Sequence, residues 1–338
     1  MKKLVILITF SALALLSACE LVFMQPSAEN TPTSVFEEAW SFADREYSFF
    51  EFKKINWDSV KAVYEPQVND SMSQEELFDV LADMLFVLRD GHVNLRSPFD
   101  RSRNWRWFLN SPPNFNYDLL ERNYFKEQQQ FVGNFIVNDF EDVGYARYSS
   151  FSNGVSPFMM RYLIDNFSDS TYKGLIFDVR DNGGGSLSNV ANILEYFTAD
   201  TIMAYRDRYK IGPEHNDFSS LVYNAIAPAE DTFYTKPIIV LTNRSSYSAT
   251  TFFSTATKAF PNITLMGDTT GGGGGAPANT DLPNGWTIRV SSTQLFSING
   301  LNVEDGLPPD VFVQMDSTDI ARGEDTILEL ALKTLREN

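Results

Sequence analysis

Apolar residues recur at helical spacing in two stretches near the start of the chain, and strand-like runs dominate its middle. From Val35, the segment FEEAWSFA sets Phe36, Trp40 and Ala43 on one stripe and leaves Phe42 off it. SQEELFDVLADMLFVLRD carries Leu77, Val80, Leu81, Leu85 and Leu88 at helical spacing. Ser71 or Ser73 is placed to cap it, and Asp90-Gly91 ends it. Together these predict a small helical unit over residues 35–91. Residues 92–130 are aromatic and irregular, with Trp105, Trp107, Pro112 and Pro113, and read as a connecting segment whose aromatics serve core or lid packing. From Phe131 strands and helices alternate. FVGNFIV and VGYARYSSF are strand-like, PFMMRYLIDNF is helical, KGLIFDVRD is a strand and SLSNVANILEYF is helical. TIMAYRDRYK, KPIIVLTN and NITLMGD follow as strands, with the helix-like ATTFFSTATKAF between the last two and WTIRVSSTQLFSI as a late hairpin strand. Such alternation predicts a mixed α/β fold over residues 131–338, its central sheet largely parallel and covered by helices.

The N-terminus reads differently. Lys2 and Lys3 precede the apolar run LVILITFSALALL, and Leu16-Ser17-Ala18-Cys19 has the form of a cleavage box. Residues 1–18 are accordingly expected to be a bacterial lipoprotein signal, with lipid attached at Cys19, which is the only cysteine in the chain. Residues 19–34 contain two prolines and no sustained period, as a tether would. Anchoring of this kind implies a cell-envelope protein, at the outer membrane facing periplasm or cell surface, because Glu20 is unlike an inner-membrane retention signal. With Cys19 lipidated, no disulfide framework and no cysteine nucleophile remain. The formal charge of −17 becomes about −19 once Lys2 and Lys3 are removed, which argues against nucleic acid as a main partner.

Candidate chemistry is sparse. Ser248 stands where the strand IIVLTN gives way to a helix, so it reads either as a cap or as a nucleophile with the Ala249 N–H beside it. Asp181-Asn182-Gly183-Gly184-Gly185 follows a strand. Its glycines allow close backbone approach to a ligand or to developing negative charge, or simply a tight turn; the spacing is that of neither a Walker loop nor GxGxxG. Gly271–Gly275 is either a mobile, substrate-facing loop or a disordered connection. Of the two histidines, His92 in its Asp90-Gly91-His92 turn is the candidate general base, and His215 reads as a surface loop residue. Two histidines this far apart, without a cysteine ligand, argue against a zinc site. Glu304, in the turn EDGLPPD, is a candidate to orient the base.

Taken in order, LRDGH (88–92), GYARYSSF (144–151), GLIFDVRDNGGG (174–185), NRSSYSAT (243–250), MGDTTGG (266–272) and EDGLPPD (304–310) resemble the S41 family of serine peptidases, which includes the C-terminal processing proteases and the tricorn core protease. The FEEAWSFADREYSFFEFKKINWDSVKAVY opening is similar to the helical cap before a tricorn-type core. The resemblance implies a ClpP/crotonase-like βαβ core with a small N-terminal helical cap. It implies Ser248 as nucleophile and an oxyanion hole from the Ala249 N–H and a glycine N–H at Gly183 or Gly184. The lysine of a Ser–Lys dyad falls on Gly272 or Gly273 here, so the base implied is the tricorn-type histidine, His92, with Glu304 as its glutamate. That branch has a serine before the histidine; this chain has Gly91. About 50 residues lie between His92 and GYARYSSF, too few for a PDZ domain. The expected activity is hydrolysis of peptides or unfolded proteins through an acyl-enzyme, with no cofactor or metal. The alternatives are a non-catalytic protein binding a peptide or apolar ligand on the same scaffold, and hydrolysis of small esters.

Overall fold

The computed structural model describes residues 29–104, 110–125 and 129–337. The signal segment 1–18, Cys19, most of the tether, and Trp105 and Trp107 lie outside the described residues. Helix α1 (Pro32–Glu46) begins inside the expected tether, because Pro32 occupies its first turn and the Thr31 side chain accepts from the Ser34 N–H. Two short helices, α2 (Phe50–Lys53) and α3 (Trp57–Tyr64), lead to α4 (Gln74–Phe86). Ser73, not Ser71, caps α4. It forms a reciprocal capping box with Glu76, while Ser71 bonds Asn69.

Val35, Phe36, Ala39, Phe42 and Ala43 of α1 meet Leu77, Phe78, Leu81, Met84 and Leu85 of α4 in one core. Phe42, off the predicted stripe, is buried as well, since the helix is surrounded on more than one side. This core is completed from far downstream. Strand β1 (Asn94–Arg96) pairs antiparallel with β11 (Thr287–Ser291), which pairs with β10 (Pro277–Asp281); Trp286, Ile288 and Val290 pack against the helices.

The main sheet has seven strands in the order β13 (Val311–Phe312), β9 (Ile263–Gly267), β8 (Ile238–Thr242), β5 (Gly174–Asp178), β4 (Val143–Tyr148), β3 (Phe135–Phe140), β2 (Gln130–Val132). From β4 to β13 the pairings are parallel; β2, β3 and β4 run antiparallel. Helices α5 (Pro157–Phe167), α6 (Leu187–Leu194) and α7 (Ala249–Thr257) share one core with Phe177 and Val240. After the short α8 (Ser317–Arg322), helix α9 (Thr326–Glu337) shares another with Ile176, Ile239 and Leu241. Alternate residues of β5 and β8 thus enter different cores, which is why these strands read as continuous apolar runs. A third sheet, β12 (Thr293–Ser297), β6 (Ile202–Tyr209) and β7 (Val222–Ile226), is antiparallel.

The expected ClpP/crotonase-like βαβ core is therefore corrected. The sheet is mixed, because a β2–β3 hairpin closes one edge, and two antiparallel three-stranded sheets are added to it. The expected late hairpin strand WTIRVSSTQLFSI divides at Ser292 into β11 and β12, which belong to different sheets. Among the described residues, no helix is long and apolar enough to cross a membrane.

Candidate active site

Strand β8 delivers the chain to a turn in which Ser246 donates to the Val179 carbonyl and its N–H bonds the Asn243 carbonyl. Ser248 follows, with φ 58° and ψ −122°, and α7 starts at the next residue. A non-glycine residue held there stores on the order of 1–3 kcal/mol of strain and persists only where its surroundings fix it. The fixing contact is its N–H, which donates to the Gly272 carbonyl at 2.9 Å. Its hydroxyl makes no capping bond to α7. Instead Ser248 Oγ lies 2.8 Å from His92 Nε2, 156 residues away in sequence.

His92 is set by the turn after α4, where Asp90 Oδ1 accepts the His92 N–H at 2.8 Å, and by β1, which starts two residues on. The imidazole is buried and tilted against the Tyr247 ring, centroids 5.1 Å apart. Burial pushes its pKa down to about 4; Asp90 opposes the shift, while Arg289 and Lys53 add to it. The Gly275 backbone favours the protonated ring, although among the described residues Nδ1 makes no hydrogen bond of ordinary geometry.

Glu304 makes no hydrogen bond to His92 among the described residues. Its carboxylate is fully buried and committed elsewhere: Oε1 accepts from Lys53 Nζ at 2.7 Å and Oε2 from the Gly274 N–H at 3.0 Å. Burial and the charge of Asp90 push its pKa up to about 8 despite Lys53. Lys53 Nζ also reaches the carbonyls of Leu88 and Arg89, so its hydrogen bond to Glu304 braces the turn that carries His92. Lys53 was hidden in FFEFKK, where a lysine at a helix end reads as solvated. Its setting among Phe49, Phe50 and Phe52 was the available signal. In the sequence Asp90 is legible only as part of a turn.

The Gly271–Gly275 run is neither mobile nor disordered. All five residues are buried. Gly271 N–H bonds Ser246 O, Gly272 O takes the Ser248 N–H and the Thr251 hydroxyl, and Gly273 N–H bonds Glu304 O. A side chain on Gly272, at φ 87°, would run into the Glu304 carbonyl oxygen.

The loop after β5 approaches Ser248 from β8's other neighbour. Asn182 organises it: Nδ2 donates to Tyr148 O, Oδ1 accepts from Phe151 and Gly184, and its carbonyl takes the Tyr247 N–H and the Thr250 hydroxyl. A Cβ on Gly184 would fall 2.8 Å from both Ala249 N and Ser248 Cβ. The Gly184 N–H is spent on Asn182 Oδ1 at 3.0 Å. The Gly183 and Ala249 N–H groups make no hydrogen bond among the described residues. These elements line a cleft of about 490 Å³, together with Arg101, Ser152, Asp181, Ser245, Tyr247 and Arg289.

His215 lies apart from the cleft, stacked on Phe50 and 2.7 Å from Asp44 Oδ1, so its loop has specific partners. Among the described residues no group of three or more His, Cys, Asp or Glu is placed to hold a metal.

Residues 142–313, about half of the chain, match the model of peptidase family S41, and residues 28–86 match that of the tricorn protease C1 domain. The chain belongs to family S41. A crystal structure of a candidate peptidase from Parabacteroides merdae is 40% identical and superposes with a TM-score of 0.85, covering 91% of this S41 chain and 97% of that one. The tricorn protease structure has the same fold at 16% identity and a TM-score of 0.55, over 91% of this chain and 36% of that one. These matches give the mixed sheet its parentage: the architecture is that of S41 and tricorn peptidases, in place of the ClpP/crotonase-type core expected from sequence. The carboxy-terminal processing protease CtpB of Bacillus subtilis is 26% identical over 158 residues, 47% of this chain and 31% of that protein. The chain spans 31% to 42% of the length of the curated relatives it matches.

Proposed function

We propose that this S41 chain is a serine peptidase acting on peptides or unfolded proteins, with Ser248 as nucleophile and His92 as general base. The observation that carries the reading is the 2.8 Å approach of His92 Nε2 to the Oγ of a serine held at positive φ on a helix N-terminus. Ser248 Oγ attacks the scissile carbonyl as Nε2 takes its proton. The oxyanion forms beside the N–H groups of Gly183 and Ala249, with Gly184 shaping the loop in place of donating. Collapse passes the proton from Nε2 to the leaving amine and leaves an acyl-serine, which water, deprotonated by the same imidazole, then releases. Asp90 is the carboxylate whose charge most favours the imidazolium that forms. Glu304 acts at a distance, holding the Gly274 backbone and, through Lys53, the His92 turn. The close His–Ser pair takes away the separation that would have favoured the binding-only alternative.

In this reading residues 35–91 form the cap, 92–130 connect it, and 131–338 form the peptidase core. We further infer removal of residues 1–18 and lipid attachment at Cys19, holding the enzyme in the cell envelope at the outer membrane. Incorporation of labelled palmitate that persists in Cys19→Ala overturns the anchor.

For the chemistry, a fluorophosphonate probe is expected to label the purified protein but not Ser248→Ala. His92→Ala should slow labelling by about 100-fold or more, as loss of a general base does. Labelling unchanged in Ser248→Ala removes the nucleophile, and an undiminished rate in His92→Ala removes the base.

A further inference from the structure

Two guanidinium groups line the cleft beside Ser248, and neither makes an ion pair or a side-chain hydrogen bond among the described residues. Both are placed by β1, the strand that follows His92. Asn94 pairs with Arg289 across the β1–β11 ladder, and Arg96 forms an isolated antiparallel bridge with Arg101. Arg289 is half-buried and Arg101 is exposed at the rim. Burial first, and then the charge of Arg101, disfavour the charge on Arg289, while Tyr247 and Asp90 oppose them.

A chain of formal charge −17 has acidic residues in excess, yet among the described residues none forms an ion pair with either guanidinium; Asp90, behind His92, favours the charge on Arg289 from beyond contact distance. The cleft's carboxylate, Asp181, stands on the loop after β5, where Asn243 Nδ2 donates to it at 2.7 Å. Two neighbouring cations in one cleft, neither ion-paired among the described residues and one of them partly desolvated, form a receptor for an anion. Opening into the same cleft as Ser248, that receptor meets whatever flanks the bond presented to the serine.

We propose that Arg289, with Arg101 beside it, binds a carboxylate of the peptide substrate and directs cleavage to peptides that carry one near the scissile bond. The inference rests on the serine-peptidase reading of this cleft. Acidic side chains and a free C-terminus offer the same chemistry, and matched substrates separate them.

Internally quenched peptides would be prepared in three forms: neutral with an amidated C-terminus, the same with one glutamate in place of glutamine, and the neutral form with a free C-terminus. The carboxylate-bearing forms are expected to show about a tenfold to hundredfold higher kcat/KM, the range of a charge-assisted hydrogen bond, with most of the difference in KM. The form that gains names the source. Arg289→Gln should bring the acidic-to-neutral ratio towards one, Arg289→Lys should keep part of it, and Arg101→Gln should lower it less. Thermal melts establish that each variant is folded. Equal kcat/KM for all three peptides, or a ratio unmoved in both Arg289→Gln and Arg101→Gln, overturns the proposal.

Absence of fluorophosphonate labelling would instead count against the peptidase reading. Binding of the same peptides, measured by fluorescence anisotropy, then judges the arginine site without turnover. Weaker binding of acidic peptide by Arg289→Gln supports it, and equal binding overturns it.

Discussion

His92 is the most constrained residue of the site, and its constraint fixes a pH dependence. Its pKa falls from 6.5 to about 4, chiefly because the ring is buried, so the imidazole is neutral and able to accept a proton well below neutrality. The acid limb of kcat/KM in the free enzyme should therefore have its inflection near 4. A pH–rate profile that bends at 6.5 contradicts a buried base. Stability follows the same shift. Between about 4 and 6.5 the unfolded chain binds a proton at His92 that the folded chain refuses, so this group's contribution is lost as pH falls through that window. Glu304 works the other way. Raised from 4.5 to about 8, it favours the folded state while protonated, and that contribution is lost as pH rises through the interval. Ser248 and His92 were legible in the sequence as types and positions. What local reading could not supply was the partner of Glu304, because the Lys53–Glu304 pair joins residues 251 apart through a core that no short window contains.

At the scale of elements, the glycine runs separate what a sequence pattern encodes from what it does not. The start of α4 was legible, since a Ser73–Glu76 capping box is a local signal, and so were β5 and β8, whose apolar runs report burial on both faces. Strand β10 (PANTD) is polar, and β7 (VYNAI) is mostly apolar but has no buried position, so neither shows the alternation that marks a strand in sequence. Gly271–Gly275 carries no side-chain pattern at all; its order comes from Ser246, Ser248 and Glu304, brought to it by the fold. Glycines in the two loops should thus respond unequally to substitution. Gly272→Ala meets the Glu304 carbonyl at a positive φ and is expected to cost about 2 kcal/mol or more, with loss of Ser248 labelling. Gly183→Ala meets nothing within 4 Å and should melt within about 1 kcal/mol of wild type. Denaturant unfolding of both variants tests the contrast, and equal destabilisation defeats it.

Across the whole molecule, distant segments converge on the loop after β5. Arg180 at its base is fully buried and bonds both Asp178 and Asp325, the latter immediately preceding α9. Arg180→Met would leave two buried carboxylates without their shared cation, and a loss of about 3–5 kcal/mol is expected. A melting curve within a degree of wild type would show that the cluster does not hold α9 to the sheet. Read from sequence, the cap ended at Gly91 and the core began at Phe131; in the structure β1 and β11 join them, a pairing that neither periodicity nor turn chemistry announces. That ladder has a consequence in time. The β1 strand beside His92 finds its strand partner, among the described residues, only in β11, almost two hundred positions later. A chain emerging from its N-terminus makes His92 early and Ser248 about three quarters of the way along, and the strand that pairs with β1 follows only at residues 287–291. For most of its synthesis the nascent protein therefore lacks the strand that pairs beside His92, and the proposed Ser248–His92 pair waits on it.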